Sequence, residues 1–257
     1  MCTIAVLHRV HPELPVIIAA NRDELYARPA RGPLLLSTDP RIAGGLDEVG
    51  GGTWLGLRAD GAFVAVTNQN VGAMPDPRLR SRGAAVIEAL RAPVPRDAIA
   101  ALDPRAYNSG NFVVGDGERV AVAYLRAGPG TLAIEELPPG LHVITNNVGA
   151  HALHRAEQVR ALLDPHLSAP WDELLVHLHA ALRDHQRPPD DEIPVPSDTP
   201  YPREFLLAIQ QVCIHTPLYG TRSATVAALA PGRVVHYRYA DGPSCTSPLI
   251  DSTHLLR

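Results

Sequence analysis

The chain has 257 residues, of which 46% are hydrophobic, and a formal charge of −4 at pH 7. This is the composition of a soluble globular protein, and it predicts a single domain over residues 1–257 with a sizeable core. The chain lacks the basic patch that nucleic-acid binding requires and any apolar run long enough to span a bilayer. We therefore expect no nucleic-acid partner and no membrane insertion.

The cysteines and basic residues narrow the chemistry. Cys2, Cys213 and Cys245 are widely scattered, a spacing that predicts neither a disulfide framework nor a metal site. With no apolar leader at the N-terminus, we expect a cytoplasmic location. All 23 Lys and Arg positions are arginine. Schiff-base chemistry on lysine is therefore excluded, and every permanent cation in a site must be a guanidinium.

The chain opens with Met1 and Cys2, followed by a β-branched and apolar run that predicts a buried strand over residues 2–9. Removal of Met1 would leave a thiol and a free α-amine on Cys2, with ordinary pKa values of about 8.5 and about 7.7–8.0. Such an amine can accept the proton of its own thiol, and the thiolate is the nucleophile. The alternative is that Cys2 is an ordinary buried strand residue.

A second strand is predicted over residues 15–21, ending in the polar run Asn21-Arg22-Asp23-Glu24. Side chains at a strand end can face a cleft, so this run is a candidate site, with an ordinary exit from strand to loop as the alternative. Residues 25–50 are rich in proline and glycine, which predicts a long loop with one short strand at Leu34–Leu36.

The next segment predicts a hairpin. Trp54–Arg58 and Ala62–Thr67 flank an Asp60-Gly61 turn, and the second strand ends in polar amides that begin with Asn68. Trp54 follows three glycines, which allows either packing over a cleft or a position in the core.

The centre of the chain alternates helices and strands. Helices are predicted over residues 81–91 and 95–102. Strands are predicted over residues 111–115, 119–125, 132–136 and 142–147. The last of these ends in Thr145-Asn146-Asn147, so a short strand closes on amides for a second time.

Two further helices are predicted at about residues 150–163 and 170–185. Their histidines have no carboxylate in matching register, which favours solvated or core positions over metal ligation; they are His151, His154, His177 and His179. Residues 186–203 predict a loop that can cover a site. The C-terminal part returns to strands, predicted at residues 205–214, 221–229, 234–239 and near 249–250.

The strands follow one another as hairpins, and both helical blocks are insertions between them. This order favours antiparallel sheets with helices on their outer faces.

Six blocks of the chain resemble the NRDE family, which is named for the tetrapeptide at residues 21–24 and includes transport-and-Golgi-organisation proteins. They keep their order along nearly the whole sequence. The blocks are Met1-Cys2, Asn21-Arg22-Asp23-Glu24, Gly51-Gly52-Thr53-Trp54-Leu55-Gly56, Val66-Thr67-Asn68, Ser81-Arg82-Gly83 and Tyr219-Gly220-Thr221-Arg222.

That family is similar to N-terminal-nucleophile hydrolases of the choloylglycine hydrolase and penicillin V acylase type. The resemblance implies an α+β fold, a four-layer αββα sandwich of two antiparallel sheets. It also implies roles for residues of this chain. Cys2 matches the nucleophile, Asp23 the aspartate that binds the α-amine, and Asn68 an oxyanion-hole asparagine. Asn146 matches a second site asparagine, and Arg222 the arginine beside the thiol.

Three more residues are expected to bind substrate: Arg22, Trp54 and Tyr219. The arginine that the family usually carries just upstream of the aspartate is shifted here, because Arg22 directly precedes Asp23. Neighbouring residues of a strand face opposite ways, so the role of Arg22 is left open.

The resemblance implies an N-terminal-cysteine amidohydrolase or acyltransferase that acts on a C–N amide or related acyl bond of a small molecule through an acyl-thioester. No cofactor is expected for that reaction. The alternative is a non-catalytic protein that binds or carries haem or an acyl ligand on the same fold, with Cys2 or a histidine as an axial ligand.

Overall fold

The computed structural model describes residues 2–69, 75–146, 153–193 and 201–257. Two antiparallel sheets pack face to face, and helices cover the outer face of each. This is the four-layer αββα sandwich expected from the resemblance. No helix in these ranges is both long enough and apolar enough to cross a membrane.

The first sheet is built around the N-terminal strand. In spatial order it contains β10 (Gly140–Ile144), β1 (Cys2–His8), β2 (Val16–Leu25), β11 (Tyr219–Ala230), β12 (Arg233–Ala240) and β13 (Ile250–Asp251). Since β1 lies between β10 and β2, the backbone of the N-terminal strand is held on both sides by ladder hydrogen bonds.

The second sheet is a meander in which each strand pairs with the next along the chain. It contains β3 (Ala30–Thr38), β4 (Arg41–Asp47), β5 (Leu55–Arg58), β6 (Phe63–Asn68), β7 (Gly110–Gly115), β8 (Val120–Arg126) and β9 (Thr131–Glu136). The alternating apolar pattern had predicted the hairpin of β5 and β6 and the run from β7 to β9.

The helices form two separate layers. Helices α1 (Arg82–Arg91) and α2 (Pro95–Ala100) pack on the second sheet. Helices α3 (Leu153–Leu163) and α4 (Trp171–Leu182) pack on the first sheet. These match the predicted helices within a few residues. The beginning of the predicted helix 150–163, with Asn147 and His151 beside it, lies outside the described residues.

Residues 25–50 were predicted as a long loop with one short strand at Leu34–Leu36. That strand is part of the longer β3, but the rest of the prediction is wrong, because the segment also forms β4. Strand β3 is the edge of its sheet, and its register shifts between Arg31 and Leu34, where Pro33 lies. An edge strand with a bulge tolerates the missing N–H of proline. The glycines of β4 reflect close packing, since a Cβ on Gly44 would lie 2.5 Å from the carbonyl oxygen of Leu55.

Two other strand predictions need correction. The predicted strand 205–214 is instead the short helix α5 (Arg203–Ala208) followed by turns. An apolar run of that length does not by itself distinguish a helix from a strand, and Pro202 precedes the first helical residue. Strand β2 also does not end at residue 21, because pairing with β1 and β11 carries it through Asn21-Arg22-Asp23-Glu24 to Leu25. Of the predicted loop 186–203, residues 194–200 lie outside the described part.

Candidate active site

Cys2 is the first residue of β1, and its partner across the sheet is Arg22 on β2. The backbone nitrogen of Cys2 donates a hydrogen bond to Oδ1 of Asn146 at 2.7 Å. Removal of Met1, which lies outside the described residues, would turn this nitrogen into the α-amine. The predicted base therefore has a fixed hydrogen-bond partner.

Asn146, buried just after β10, connects the two sheets. Its Oδ1 accepts from Cys2 in the first sheet, while its Nδ2 donates to the carbonyl oxygen of Asn68 at 2.7 Å in the second. The two contacts decide which end of the amide is the oxygen. The side chain of Asn68 is exposed at the end of β6, where it is accessible to a bound molecule.

A buried amide network lies beneath this connection. Nδ2 of Asn111 donates to the carbonyl oxygen of Thr145 at 3.0 Å and to Oγ1 of Thr67 at 3.2 Å. Oδ1 of Asn111 accepts from Nε2 of Gln69 at 2.6 Å. The residues that flank Asn68 and Asn146 are thereby held in place. Asn111 was not predicted as a site residue, because it lies inside a strand whose other residues are apolar.

The pleat of β1 and β2 separates the side chains of the site onto the two faces of the first sheet. Cys2 and Arg22 are strand partners, and Arg22 lies two residues after Ala20, which faces the core between the sheets. Side chains two residues apart on a strand share a face, so Cys2 and Arg22 also point between the sheets. Thr3 and Asp23 face the opposite way, towards the helix layer. Arg22 and Asp23 thus lie on opposite faces, as the strand pattern predicted, and Arg22 is the one that shares the face of Cys2.

Asp23 is buried and held by two donors. Oγ1 of Thr221 donates to its Oδ1 at 2.6 Å, and Nη1 of Arg155 lies 3.4 Å from its Oδ2. Burial raises the pKa of Asp23, and the charge of Arg155 and the hydroxyl of Thr221 oppose that rise. Arg155, from α3, also donates to Oγ1 of Thr3 at 3.0 Å and to the carbonyl oxygen of Ile209.

The environment of Cys2 favours the neutral thiol. Burial raises the pKa of the Cys2 thiol, and the negative charge of Asp23 raises it further. The backbone N–H of Asp23 and the guanidinium of Arg22 act in the opposite direction but do not overcome the burial. Because the resting group is a thiol at neutral pH, a nucleophilic role requires a base beside it.

Arg22 is buried between Trp54 and an acidic residue. Its guanidinium carbon lies 4.3 Å from the centroid of the Trp54 ring, and its Nη2 lies 3.7 Å from Oδ2 of Asp47. Within the described residues Nη2 has no hydrogen-bond partner. Trp54 is half-buried against Gly45, where any Cβ would lie 2.2 Å from the indole ring. Because Arg22 is the strand partner of Cys2, Trp54 lies on the face of the first sheet that carries Cys2.

Arg222 is directed elsewhere. It lies in a bulge of β11, and its Nη1 donates to the carbonyl oxygens of Leu25 at 3.1 Å and Tyr26 at 2.6 Å. Its guanidinium therefore binds the backbone that follows β2. Arg222 was predicted to lie beside the thiol, but its described contacts are with this turn.

Tyr219 and Arg82, which had no predicted role, are close enough for the charge of Cys2 to affect their pKa values. Burial raises the pKa of Tyr219 well above its usual value, and the charges of Asp23 and Cys2 add to the effect. Arg82, the first residue of α1, donates to the carbonyl oxygen of Ser109. Burial lowers the pKa of Arg82 to about 10, against the charge of Cys2.

Like Asn111, Arg82 and Arg155 lie at the candidate site and were not predicted from the sequence. Arg82 lies in the Ser81-Arg82-Gly83 block, so its position in a shared motif could have identified it. Arg155 resembles any surface arginine of a helix in sequence, and only the fold shows that it is buried beside Asp23.

The family model described as Transport and Golgi organisation 2 matches residues 1–238. The chain belongs to this family. Among curated relatives, the bovine Transport and Golgi organization protein 2 homolog is 32% identical over 237 residues, which cover 82% of this chain and 80% of the relative. The human homolog is 28% identical over 235 residues with the same coverage.

Two solved structures are similar in fold to this chain. A Caenorhabditis elegans N-acylethanolamine-hydrolyzing acid amidase ortholog matches with a TM-score of 0.54 and 13% identity, covering 88% of this chain and 92% of that one. The C2A mutant of the conjugated bile acid hydrolase from Clostridium perfringens matches with a TM-score of 0.52 and 12% identity, covering 99% of this chain and 93% of that one. At these identities the likeness shows a shared fold.

Proposed function

We propose that this chain is an N-terminal-nucleophile cysteine amidohydrolase or acyltransferase that cleaves a C–N amide or related acyl bond of a small molecule. The observation that carries the proposal is the hydrogen bond from the Cys2 nitrogen to Asn146, whose amide also binds Asn68. This contact supports the proposal because a single amide joins the nitrogen of Cys2 to the backbone of Asn68, whose side chain is exposed. The two fold relatives named for amide or conjugate hydrolysis support this reaction class.

In the proposed reaction the α-amine of Cys2 takes the thiol proton, and Sγ attacks the acyl carbon of the substrate. The amide N–H groups of Asn68 stabilise the oxyanion that forms, a contribution of about 3–4 kcal/mol per donor. As the C–N bond breaks, the protonated α-amine returns its proton to the leaving nitrogen. Water or an acceptor amine then attacks the acyl-thioester and releases Cys2.

The remaining groups position and tune the nucleophile. Asp23, fixed by Thr221 and Arg155, orients the α-amine. We assign Nη2 of Arg22, which donates no hydrogen bond within the described residues, to an acceptor atom of the substrate, with the ring of Trp54 beside it. Tyr219 stays among the residues expected to bind substrate, and burial, which raises its pKa, keeps its hydroxyl neutral.

The proposal is tested with an amide- or ester-activated acyl probe. Intact mass first establishes that the purified chain lacks Met1. We expect wild-type protein to gain one acyl group, mapped by peptide analysis to Cys2, and Cys2→Ala to gain none. Acylation of Cys2→Ala at the wild-type rate contradicts the proposal. So does saturable haem binding with a Soret band at micromolar concentration in a wild-type protein that is not acylated, since that result supports ligand carriage.

A further inference from the structure

A second group of reactive side chains lies away from the Cys2 thiol. His185, Cys213, His215 and Cys245 each present one potential ligand atom, and all four atoms lie within 4.8 Å of one another. The residues come from three segments of the chain that are distant in sequence: the end of α4, the turns before β11, and the turn before β13. The sequence spacing predicted no metal site because only the fold brings these segments together.

The distances fit a tetrahedral metal ion. Zinc binds thiolate sulfur at about 2.3 Å and imidazole nitrogen at about 2.0–2.1 Å, so sulfur and nitrogen ligands on one ion lie about 3.6 Å apart. Nε2 of His215 lies 3.7 Å from Sγ of Cys213 and 3.1 Å from Sγ of Cys245. The two values bracket the expected separation.

Neighbouring groups orient these ligands. Nδ1 of His185 lies 2.9 Å from the carbonyl oxygen of Cys213. A proton donated to that oxygen leaves the lone pair on Nε2, the arrangement that metal-binding histidines usually have. The sulfur of Cys213 accepts a hydrogen bond from the hydroxyl of Ser244 at 3.7 Å. Such a donor stabilises a coordinated thiolate.

We infer that His185, Cys213, His215 and Cys245 bind one zinc-type divalent cation in a Cys₂His₂ site. Binding releases the two thiol protons, and the two thiolates balance the charge of the ion. Four protein ligands leave no open coordination position, so the ion has a structural role. This inference is independent of the function proposed for Cys2.

The three segments that carry the metal ligands also contact Asn21, on the face of the first sheet that is covered by helices. Asn21 donates from Nδ2 to the carbonyl oxygens of Leu182 at 2.8 Å and Val212 at 3.0 Å, and it accepts from Ser244. Each of these contacts is next to, or a few residues from, a metal ligand. Asn21 and the metal therefore hold the same three segments together.

The segment between two of the ligands also reaches Asp23. Ile214, which lies between Cys213 and His215, donates its N–H to Oγ1 of Thr221 at 2.9 Å, and that hydroxyl donates to Asp23. Metal binding therefore stabilises the backbone that positions the buried carboxylate, without contact with the thiol of Cys2.

Cobalt(II) is the probe for this site because a tetrahedral cobalt thiolate absorbs visible light. Reduced, chelator-treated protein is titrated with Co²⁺ and its absorption recorded. We expect one Co²⁺ per chain, tetrahedral d–d bands and sulfur-to-cobalt charge-transfer bands, displaced by an equivalent of Zn²⁺. Cys2→Ala gives the same spectrum if the site is independent of the thiol at the N-terminus.

Ligand variants locate the site. Since loss of an outer-shell partner weakens metal sites 10–100-fold, we expect Cys245→Ser and His215→Ala to weaken binding by about 100-fold or more. The matched control is His254→Ala, an exposed histidine outside the group, which leaves binding unchanged. A wild-type spectrum without sulfur-to-cobalt bands overturns the inference even if the variants fail to fold. Equal binding by the ligand variants, or a Cys213–Cys245 disulfide in protein purified with zinc present, also overturns it.

Discussion

Three consecutive residues of β2 perform different tasks because the strand alternates its faces. Asn21 and Asp23 point to the helix layer, where one binds backbone carbonyls and the other pairs with Arg155. Arg22 points between the sheets and shares the face of Cys2. A shift of one residue in the register of β2 would exchange these environments and place the carboxylate beside the thiol.

The charges of Arg22 and Asp23 have opposite effects on the pKa of the Cys2 thiol, so their removal is predicted to shift that pKa in opposite directions. Arg22→Gln removes a positive charge that favours the thiolate, so the thiol pKa rises. Asp23→Asn removes a negative charge that disfavours it, so the thiol pKa falls. We expect each shift to be about one pH unit. The measurement is the rate of alkylation of Cys2 by iodoacetamide as a function of pH, with the alkylated peptide identified by mass.

Arg222→Gln is the matched control for this titration. Its guanidinium binds the carbonyls of Leu25 and Tyr26, so we expect the alkylation midpoint to stay at the wild-type pH. If Arg222→Gln moves the midpoint and Arg22→Gln does not, the role implied by the family resemblance is right and the assignment to Arg22 is wrong.

At the level of elements, two of the blocks that carried the family resemblance meet in the structure. The N–H of Thr53 donates to the carbonyl oxygen of Gly83 at 3.1 Å. A Cβ on Gly52 would lie 2.0 Å from the carbonyl carbon of Gly83. The contact of the two backbones places Trp54 and Arg82, which follow and precede these glycines, on the same side of the molecule.

This close approach makes Gly52 intolerant of any side chain. We expect Gly52→Ala to lower the free energy of unfolding by about 2–4 kcal/mol, because backbone atoms cannot yield as a flexible side chain can. Gly128→Ala is the matched control: a Cβ there meets no atom within 4 Å, so we expect a change within about 0.5 kcal/mol. Urea denaturation measures both. Equal stabilities of the two variants would show that the contact does not exist in solution.

The elements also show which parts of the fold the sequence could predict. The alternation in Ala62–Thr67 identifies β6 correctly because each side chain has one clear face. The two strands within residues 30–47 could not be recognised from the sequence, because glycine and proline usually indicate loops. Here the glycines allow close packing and the proline lies at a bulge in an edge strand. The hydrogen bond from Cys2 to Asn146 joins two residues that the resemblance had named, whereas Arg155 is placed only by the packing of α3 on the first sheet.

At the level of the whole molecule, the core between the two sheets fixes their spacing. It is lined by residues from both, among them Ile18 of β2 and Leu57 of β5, neither of which is exposed to solvent. The outer cores attach helices to one sheet each. The central core therefore helps to determine how the two halves of the candidate site meet.

A cavity in that core is expected to lower the free energy of unfolding by as much as a cavity in other well-packed proteins. We predict that Leu57→Ala lowers the free energy of unfolding by about 2–5 kcal/mol. Leu218→Ala removes the same atoms from a side chain that is 75% exposed, and we expect a change within about 0.5 kcal/mol. Chemical denaturation of both variants provides the comparison. A small effect at both positions would indicate that the sheets do not pack as described.

The position of the Asn146 amide determines how the candidate site can be lost while the secondary structure remains. It spans the gap between the layers with two hydrogen bonds of 2.7 Å, one to each sheet. Sliding one layer against the other by a single ångström breaks one of these bonds while every ladder within a sheet stays intact. Damage to the assembly at Cys2 is therefore invisible to circular dichroism, and a preparation with normal secondary structure can already have lost it.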